Sequence, residues 1–483
     1  FSELTADFKG NTMLVGTELD NLRDYFTVKG KNNDGTSVSD NGFGTIINYA
    51  LCLASGGAQL AEGENIVIVS YEGLSVEVIV NAVDPAVGVK VGESGTEQYF
   101  GTLAEGWDYA QKAKTATIIL YRDIVTSEWL VVKSGTTLTL DLNGHILDRN
   151  LFDRAESVTN GCVICVQGES GTTVGAKLIL KDSAPDAGHT GKYAGYPDGG
   201  IITGGNMKEA GYATVDSGVA GGGISVLNMG SLEMYGGTVY RNRTNGSGGG
   251  IWLGGISARV SSIKGGAVLE NEAGKDGGGI WMQMNQPISN VTVANNAANK
   301  RGGGIYSNSW MDLNSCYIYD NTAKGVGSAS GSGGGIYAID GSELNSCYIY
   351  GNTANGNGGG VFTNKDLIKA NNTKIYGNSG IVGGGIYCGI LSGAQSEAAS
   401  LTLTDCEIYG NTATENVGGM YIRKGCFIYG STRIENNCVG GQWSEERGYY
   451  IGGEKSNVGM IWTGSKRVTI KGTFTGSISI SSI

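Results

Sequence analysis

The sequence predicts an all-β solenoid, a chain wound so that each repeat makes one turn of a coil. Three observations carry this reading. A glycine run followed by a branched apolar residue, and usually an aromatic, recurs eight times between residues 221 and 420. Its apolar anchors are Ile224, Ile251, Ile280, Ile305, Ile336, Val361, Ile386 and Met420, spaced 25 to 34 residues apart. A second phrase, of the type Ile-Tyr-x-Asn, keeps the same time through Asn242, Asn271, Asn296, Asn321, Asn352, Asn378, Asn411 and Asn437. The third observation is composition: 84 glycines and only 4 prolines. Disordered chains are rich in both, whereas phased glycine with abundant Ile, Val and Tyr suits tight corners and close backbone stacking. Self-similarity at this period marks stacked repeats, and slips in the period mark loops inserted at corners.

Residues 1–83 differ from the rest. Ile66 to Tyr71 and Leu74 to Val80 alternate around a Glu72-Gly73 turn, with Val76, Val78 and Val80 on one face, which predicts a hairpin in a small β-sandwich. The segments Val15-Gly16, Phe26-Thr27-Val28, Asp34-Gly35-Thr36 and Gly63-Glu64-Asn65-Ile66 resemble bacterial Ig-like domains, which implies a spacer or stalk. Residues 84–101 read as a linker. Thr102 to Glu105 then form a capping box, and Leu103, Trp107 and Ala110 share one face of a short helix over about 102–113. Such a helix would cover the open end of a solenoid, whose first core layer and strand edge are otherwise exposed.

The solenoid is expected over 102–483, beginning with Thr117 to Leu120 and Leu138 to His145, with a polar loop at 183–220. Roughly 13 to 14 coils at about 4.8 Å each predict a rod about 60 Å long. Ile280, Ile305 and Ile336 should face inward on adjacent layers, as should Ile318 and Ile349, and the asparagines should form a buried, mutually hydrogen-bonded column. The phrases GGGIY, Gly236-Gly237-Thr238-Val239-Tyr240-Arg241-Asn242, IYGNTA and Leu140 to Leu147 resemble right-handed parallel β-helix proteins of the pectate-lyase-like superfamily. They are most similar to repetitive surface proteins of Gram-positive gut bacteria, with a likeness also to polymorphic autotransporter passengers. The resemblance spans residues 115–483 and implies a secreted or cell-surface protein. It leaves activity open, because the same coil carries lyases, hydrolases and adhesins.

A net charge of −11, with no basic stripe of interleaved aromatics, argues against nucleic acid and against anionic polysaccharides unless a local basic groove or a bound cation exists. No apolar run is long enough to span a membrane. The chain opens at Phe1 without a signal peptide and closes on a strand-like stretch, which reads as a trimmed piece of something longer. Nine cysteines include one CxxC, Cys162 to Cys165, whose apolar interior reads as a strand; with only His145 and His189, a zinc site is not expected. Cys316, Cys347 and Cys406 fall in register and read as stacked buried thiols.

Three candidate sites emerge. The aromatics after each glycine phrase, Trp252, Trp281, Tyr306, Tyr337, Phe362, Tyr387 and Tyr421, should point out of the coil and form a ligand-binding file. Packing beneath a neighbouring loop is the alternative for them. Tyr240, Tyr319, Tyr350, Tyr376 and Tyr409 form a second file with the same two readings. Asp312 and Glu343 occupy equal offsets in adjacent coils, about 5 Å apart in a β-helix, as a retaining glycosidase pair requires. Asp340 and Asp366 lie nearby, while Lys369 at the next equal offset suggests an ordinary charge ladder. Asp182, Asp186 and Asp198 are calcium candidates in the polar loop; otherwise no cofactor is expected. The calcium-aspartate and arginine set of pectate lyases and the motifs of polygalacturonases are absent, with Arg423 standing alone. The expectation is an extracellular adhesin or glycan-binding β-helix, monomeric, meeting host or plant glycans or a surface protein. The alternatives are a glycoside hydrolase or polysaccharide lyase, and a structural stalk.

Overall fold

The computed structural model describes all residues except 11, 41–46, 93, 170–172, 209–220, 255–259, 327–329, 365–367, 390–400, 424, 461–467 and 479–483, and the side chains of 40, 460 and 471–474. It divides into two compact units, Phe1–Ile124 and Val125–Ile483.

In the first unit, a three-stranded antiparallel sheet (Glu3–Phe8, Phe26–Lys31, Ser37–Asp40) and a four-stranded sheet (Met13–Leu14, Ala50–Leu53, Gly63–Tyr71, Leu74–Val83) share one core. Phe26, Val28, Val67, Val69 and Val80 are its fully buried centre. The expected hairpin is present, with Tyr71 opposite Leu74 and positive φ at Glu72 and Gly73. Alternation sends Val67 and Val69 inward and leaves Ile66 and Ile79 exposed. Asn65 ties the preceding loop through Ala61 and Gly63.

The stretch expected as a linker, 84–101, carries two antiparallel strands, Val87–Val91 and Gln98–Phe100, and the first of these pairs with Thr115–Leu120. Val87 and Val89 bury completely, which explains why this stretch is built into a sheet. The helix Leu103–Ala113 packs on these strands through Leu103, Gly106, Trp107 and Ala110. Thr102 Oγ1 accepts from the Glu105 amide, capping the helix, and donates to the Glu105 carboxylate at 2.7 Å, so the carboxylate meets the cap through the hydroxyl.

The second unit is a parallel β-helix with four short strands per coil. One coil runs Ile280–Met282, Ile288–Ser289, Thr292–Ala294 and Ala297–Ala298 before returning at Ile305–Ser307. We number the four sheets in that order. Strands of the first sheet pair in parallel and in register: Ile251 with Ile280, Ile280 with Ile305, Ile305 with Ile336, and on to Met420. Ile318 and Ile349 pair likewise in the third sheet, and all these side chains are fully buried. Each such isoleucine contributes about 1.5–3 kcal/mol by leaving water.

Among the described residues the first sheet holds eleven strands, fewer than the 13 to 14 coils expected. The early turns are long: Leu130 pairs with Ile164, and Ile164 with Ile224, so whole loops intervene where regular coils were assumed.

The asparagine column explains the glycine triplets. Asn296 Oδ1 accepts from both the backbone amide (2.9 Å) and Nδ2 (3.0 Å) of Asn271, while its own Nδ2 donates to Asn321 Oδ1 at 2.9 Å. The same pattern links Asn242 through Asn437 with every member buried. The file begins at the Gly205 amide and ends at Asn457. In the coil before Asn296, Gly277 has φ +68; a Cβ on Gly278 would lie 2.2 Å from the Gly303 oxygen, and one on Gly279 would lie 3.0 Å from the Asn296 amide. The first glycine serves the turn, the second the backbone of the next coil, and the third the asparagine file.

Candidate functional site

The seven aromatics that follow the glycine phrases do form one file, with ring centroids 4.7 to 6.1 Å apart and planes within 15°. Stacking of this kind uses each ring's faces on its neighbours. The edges are covered too: Trp252, Tyr306, Tyr337, Phe362 and Tyr387 are at most 7% exposed. Trp252 packs against Cys162, Cys165, Met207 and Leu227, and the later rings against Ile339 and Val382. Arg301, paired to Asp276 at 2.9 Å, lies 5.0 Å from the Tyr306 ring and 5.1 Å from Tyr337. Only Trp281 and Tyr421 at this file stay partly open. The rings point out of the coil as expected, yet neighbouring side chains close over them, so the alternative of packing describes this file.

Asp312 and Glu343 are register partners on the outward side of the second sheet. Asp312 is engaged by the Trp310 indole and by Asn285 Nδ2 at 3.0 Å. Lys369 is the next register partner of Glu343, which gives the file the character of a charge ladder. Asp340 sits half-buried in the bend before Ser342–Asn345. Asp366 lies outside the described residues.

The calcium candidates are not brought together. Asp182 is spent on backbone amides, accepting from Gly144 (2.8 Å), Gly200 (2.7 Å) and Ala184 (3.3 Å), while Asp186 and Asp198 are exposed. Among the described residues no three His, Cys, Asp or Glu side chains converge to hold a metal. Its three backbone amides make Asp182 the peg of the polar loop.

All nine cysteines are free and eight are buried. Cys316, Cys347 and Cys406 each cap the carbonyl two residues earlier at 3.2–3.4 Å. Thr373 takes that place in the intervening coil and accepts from the Cys347 amide.

The surface with most to offer is the outer face of the third sheet. Its strands align one file in register: Asp148, Thr203, Tyr240, Leu269, Ala294, Tyr319, Tyr350, Tyr376, Tyr409 and Glu435. Tyr317 and Tyr348 stand beside Tyr319 and Tyr350 as a second short file. Tyr319, Tyr350, Tyr376 and Tyr409 stack 4.8 to 5.0 Å apart, leaving half-open edges and hydroxyls along the surface; Tyr317 is 47% exposed. Burial pushes the phenols of Tyr240, Tyr350 and Tyr376 up to about 12, so they remain hydrogen-bond donors. Asp320, at the corner beside this file, is exposed at the surface; its carboxylate accepts no hydrogen bond from the described residues, and desolvation by its neighbours raises its pKa. The Gln442–Ile451 hairpin bounds the face, with Tyr449 edge-on to Tyr409 at 5.7 Å and Trp443 over Gly377.

At the other end of the same file is a cleft of about 250 Å³ lined by Asp148, Asn150, Phe152, Asp153, Arg154, Tyr196, Thr203, Gly204 and Arg241. Gly204 opens it: φ is +81, and a Cβ there would lie 2.1 Å from Asp148 Oδ1. Tyr196 forms one wall, edge-on to Tyr240 at 4.8 Å and to Tyr193 at 5.4 Å. Sequence reasoning named Tyr240 but missed the cleft, because its residues come from the first long coils, where the repeat is out of phase. The sequence offered only two close pairs of arginines, 149 with 154 and 241 with 243, far apart along the chain.

Fold and face together define a parallel β-helix protein with a half-open tyrosine row and a polar cleft on one sheet. Comparison with family models, with curated proteins and with solved structures finds no match. No helix among the described residues is long and apolar enough to cross a membrane.

Proposed function

We propose that this chain is an extracellular bacterial surface protein, an adhesin that binds glycans along the outer face of its third sheet without cleaving them. On this reading residues 1–83 are an Ig-like spacer and the solenoid is of the right-handed, pectate-lyase-like kind. The observation that carries it is the in-register tyrosine row from Tyr319 to Tyr409, with Asp320 at its side. Tyrosine supplies large, rigid contact area at low entropy cost and a hydroxyl for polar partners. A row fixed by backbone register is preorganised, so little ordering cost falls on binding. A glycan array should give a signal that Tyr350→Ala with Tyr376→Ala lowers about tenfold or more, equal to roughly 1.4 kcal/mol. Retention of full signal in that double variant sinks the assignment to this face.

A second reading, hydrolysis, is favoured by one observation: Asp312 and Glu343 lie on the same side of adjacent rungs. Release of reducing sugar from polysaccharides, abolished by Asp312→Asn or Glu343→Gln, would establish it. A silent array with no product would leave the stalk.

A further inference from the structure

The chain carries a net charge of −11, yet arginines gather at the cleft. Two of them are committed. Arg243 Nη2 donates to the Phe152 carbonyl at 2.7 Å, with its guanidinium 5.1 Å from the Phe152 ring centre. Arg149 is buried and donates to the Thr126 and Ser127 carbonyls.

Arg154 and Arg241, which line the cleft, are different: their guanidinium groups make no hydrogen bond or ion pair with the described residues. Arg241 is held by its 4.9 Å contact with the Phe152 ring, which orients the fork while leaving its donors unspent. Of the two carboxylates in the lining, Asp148 is already answered by Lys192 Nζ (3.1 Å), the Tyr193 hydroxyl (2.9 Å) and the Asn150 amide (2.7 Å). Asp153 is exposed at the rim.

From this arrangement we infer that the cleft takes the carboxylate of a terminal acidic sugar, held by Arg154 and Arg241. The inference rests on the glycan-binding reading and supplies its anchoring chemistry. A guanidinium fork matches a planar carboxylate with two parallel hydrogen bonds. A dianionic phosphate would suffer more from Asp148 and Asp153 than a single negative charge does. The Asn150 side-chain amide, the Thr203 hydroxyl and the Tyr196 phenol line the cleft and can meet ring hydroxyls, as sugar recognition demands. The volume lies below the range for drug-sized ligands, which limits the occupant to about one ring. Because the cleft ends the file that continues into Leu269, Ala294 and the tyrosine row, the rest of a bound chain has a path along the same face.

The test is calorimetric titration of the full chain with methyl β-glucuronide, methyl β-glucoside and glucose 6-sulfate. The glucuronide should bind at least about tenfold tighter than the neutral glucoside, and Arg154→Gln and Arg241→Gln should each remove about tenfold or more of that affinity. Arg154 is exposed, so its replacement leaves folding intact; Arg241→Lys should keep the charge yet lose the bidentate advantage. Equal binding of the charged and neutral sugars, tighter binding of the sulfate ester, or affinity indifferent to Arg154→Gln each overturns the proposal. Glucuronide binding should survive Tyr350→Ala with Tyr376→Ala, so failure of the cleft and failure of the tyrosine row are told apart.

Discussion

At the residue scale, the asparagine file is the feature on which the coil depends most. Each amide oxygen takes two donors from the preceding coil, and each amide nitrogen serves the following coil and a backbone carbonyl, as Asn296 does with Val268 at 2.9 Å. Replacing Asn296 by Ala leaves the Asn271 backbone amide without an acceptor in a buried layer, while Asn271 Nδ2 keeps the Val239 and Leu269 carbonyls. The expected cost is about 2 kcal/mol, from the orphaned donor rather than lost volume, read as a lowered melting midpoint in a thermal scan. Most of this was legible in sequence, because a polar residue recurring at an apolar corner needs a partner. Asn457 was not legible. It closes the file from the position where other coils carry their third glycine, so it belongs to no asparagine phrase.

At the element scale, strands of two to seven residues define flat faces, and inserted segments decide which faces stay open. Alternation correctly pointed Trp252, Tyr306 and Tyr337 out of the coil, but it carries no information on what lies over them. Arg301 and Val382 stand just before a glycine triplet, five residues ahead of Tyr306 and Tyr387, and Ile339 two residues after Tyr337; the equivalent positions in other coils are Ser247, Asp276, Ser332 and Asn357, so the cover is local but follows no repeated phrase. The Gln442–Ile451 hairpin shows the same effect on the third sheet. It rests on glycines: Gly410 has φ +59, and a Cβ there would meet the Tyr449 ring at 2.4 Å. Gly410→Ala should lift the hairpin from the sheet and speed tryptic cleavage after Arg447, in its turn, by about tenfold. An unchanged cleavage rate would show that the hairpin is held elsewhere. The cleft stayed hidden for a related reason: Asp148 and Thr203 are register neighbours separated in sequence by a long loop.

At the scale of the second unit, each coil touches chiefly the coils before and after it, and stability accumulates nearly rung by rung. Residues 336–360 make one complete turn, from Ile336 to the residue before Val361. Deleting them sets Val361 against Ile305 and gives Asn321 a new partner in Asn378. The product should melt within about 4 °C of the full chain, whereas deleting only 336–347, half a turn, should abolish the cooperative transition in the same scan. Finally, the asparagine file has a direction. In every pair the earlier residue supplies both hydrogens and the later one the oxygen, from Asn242 to Asn457. A finished turn therefore holds two unspent N–H groups at the edge where the next turn arrives, and none facing backwards. The rod is thus a one-way template, on which each new layer is met by waiting hydrogens only if it is laid down in the order in which the chain is made.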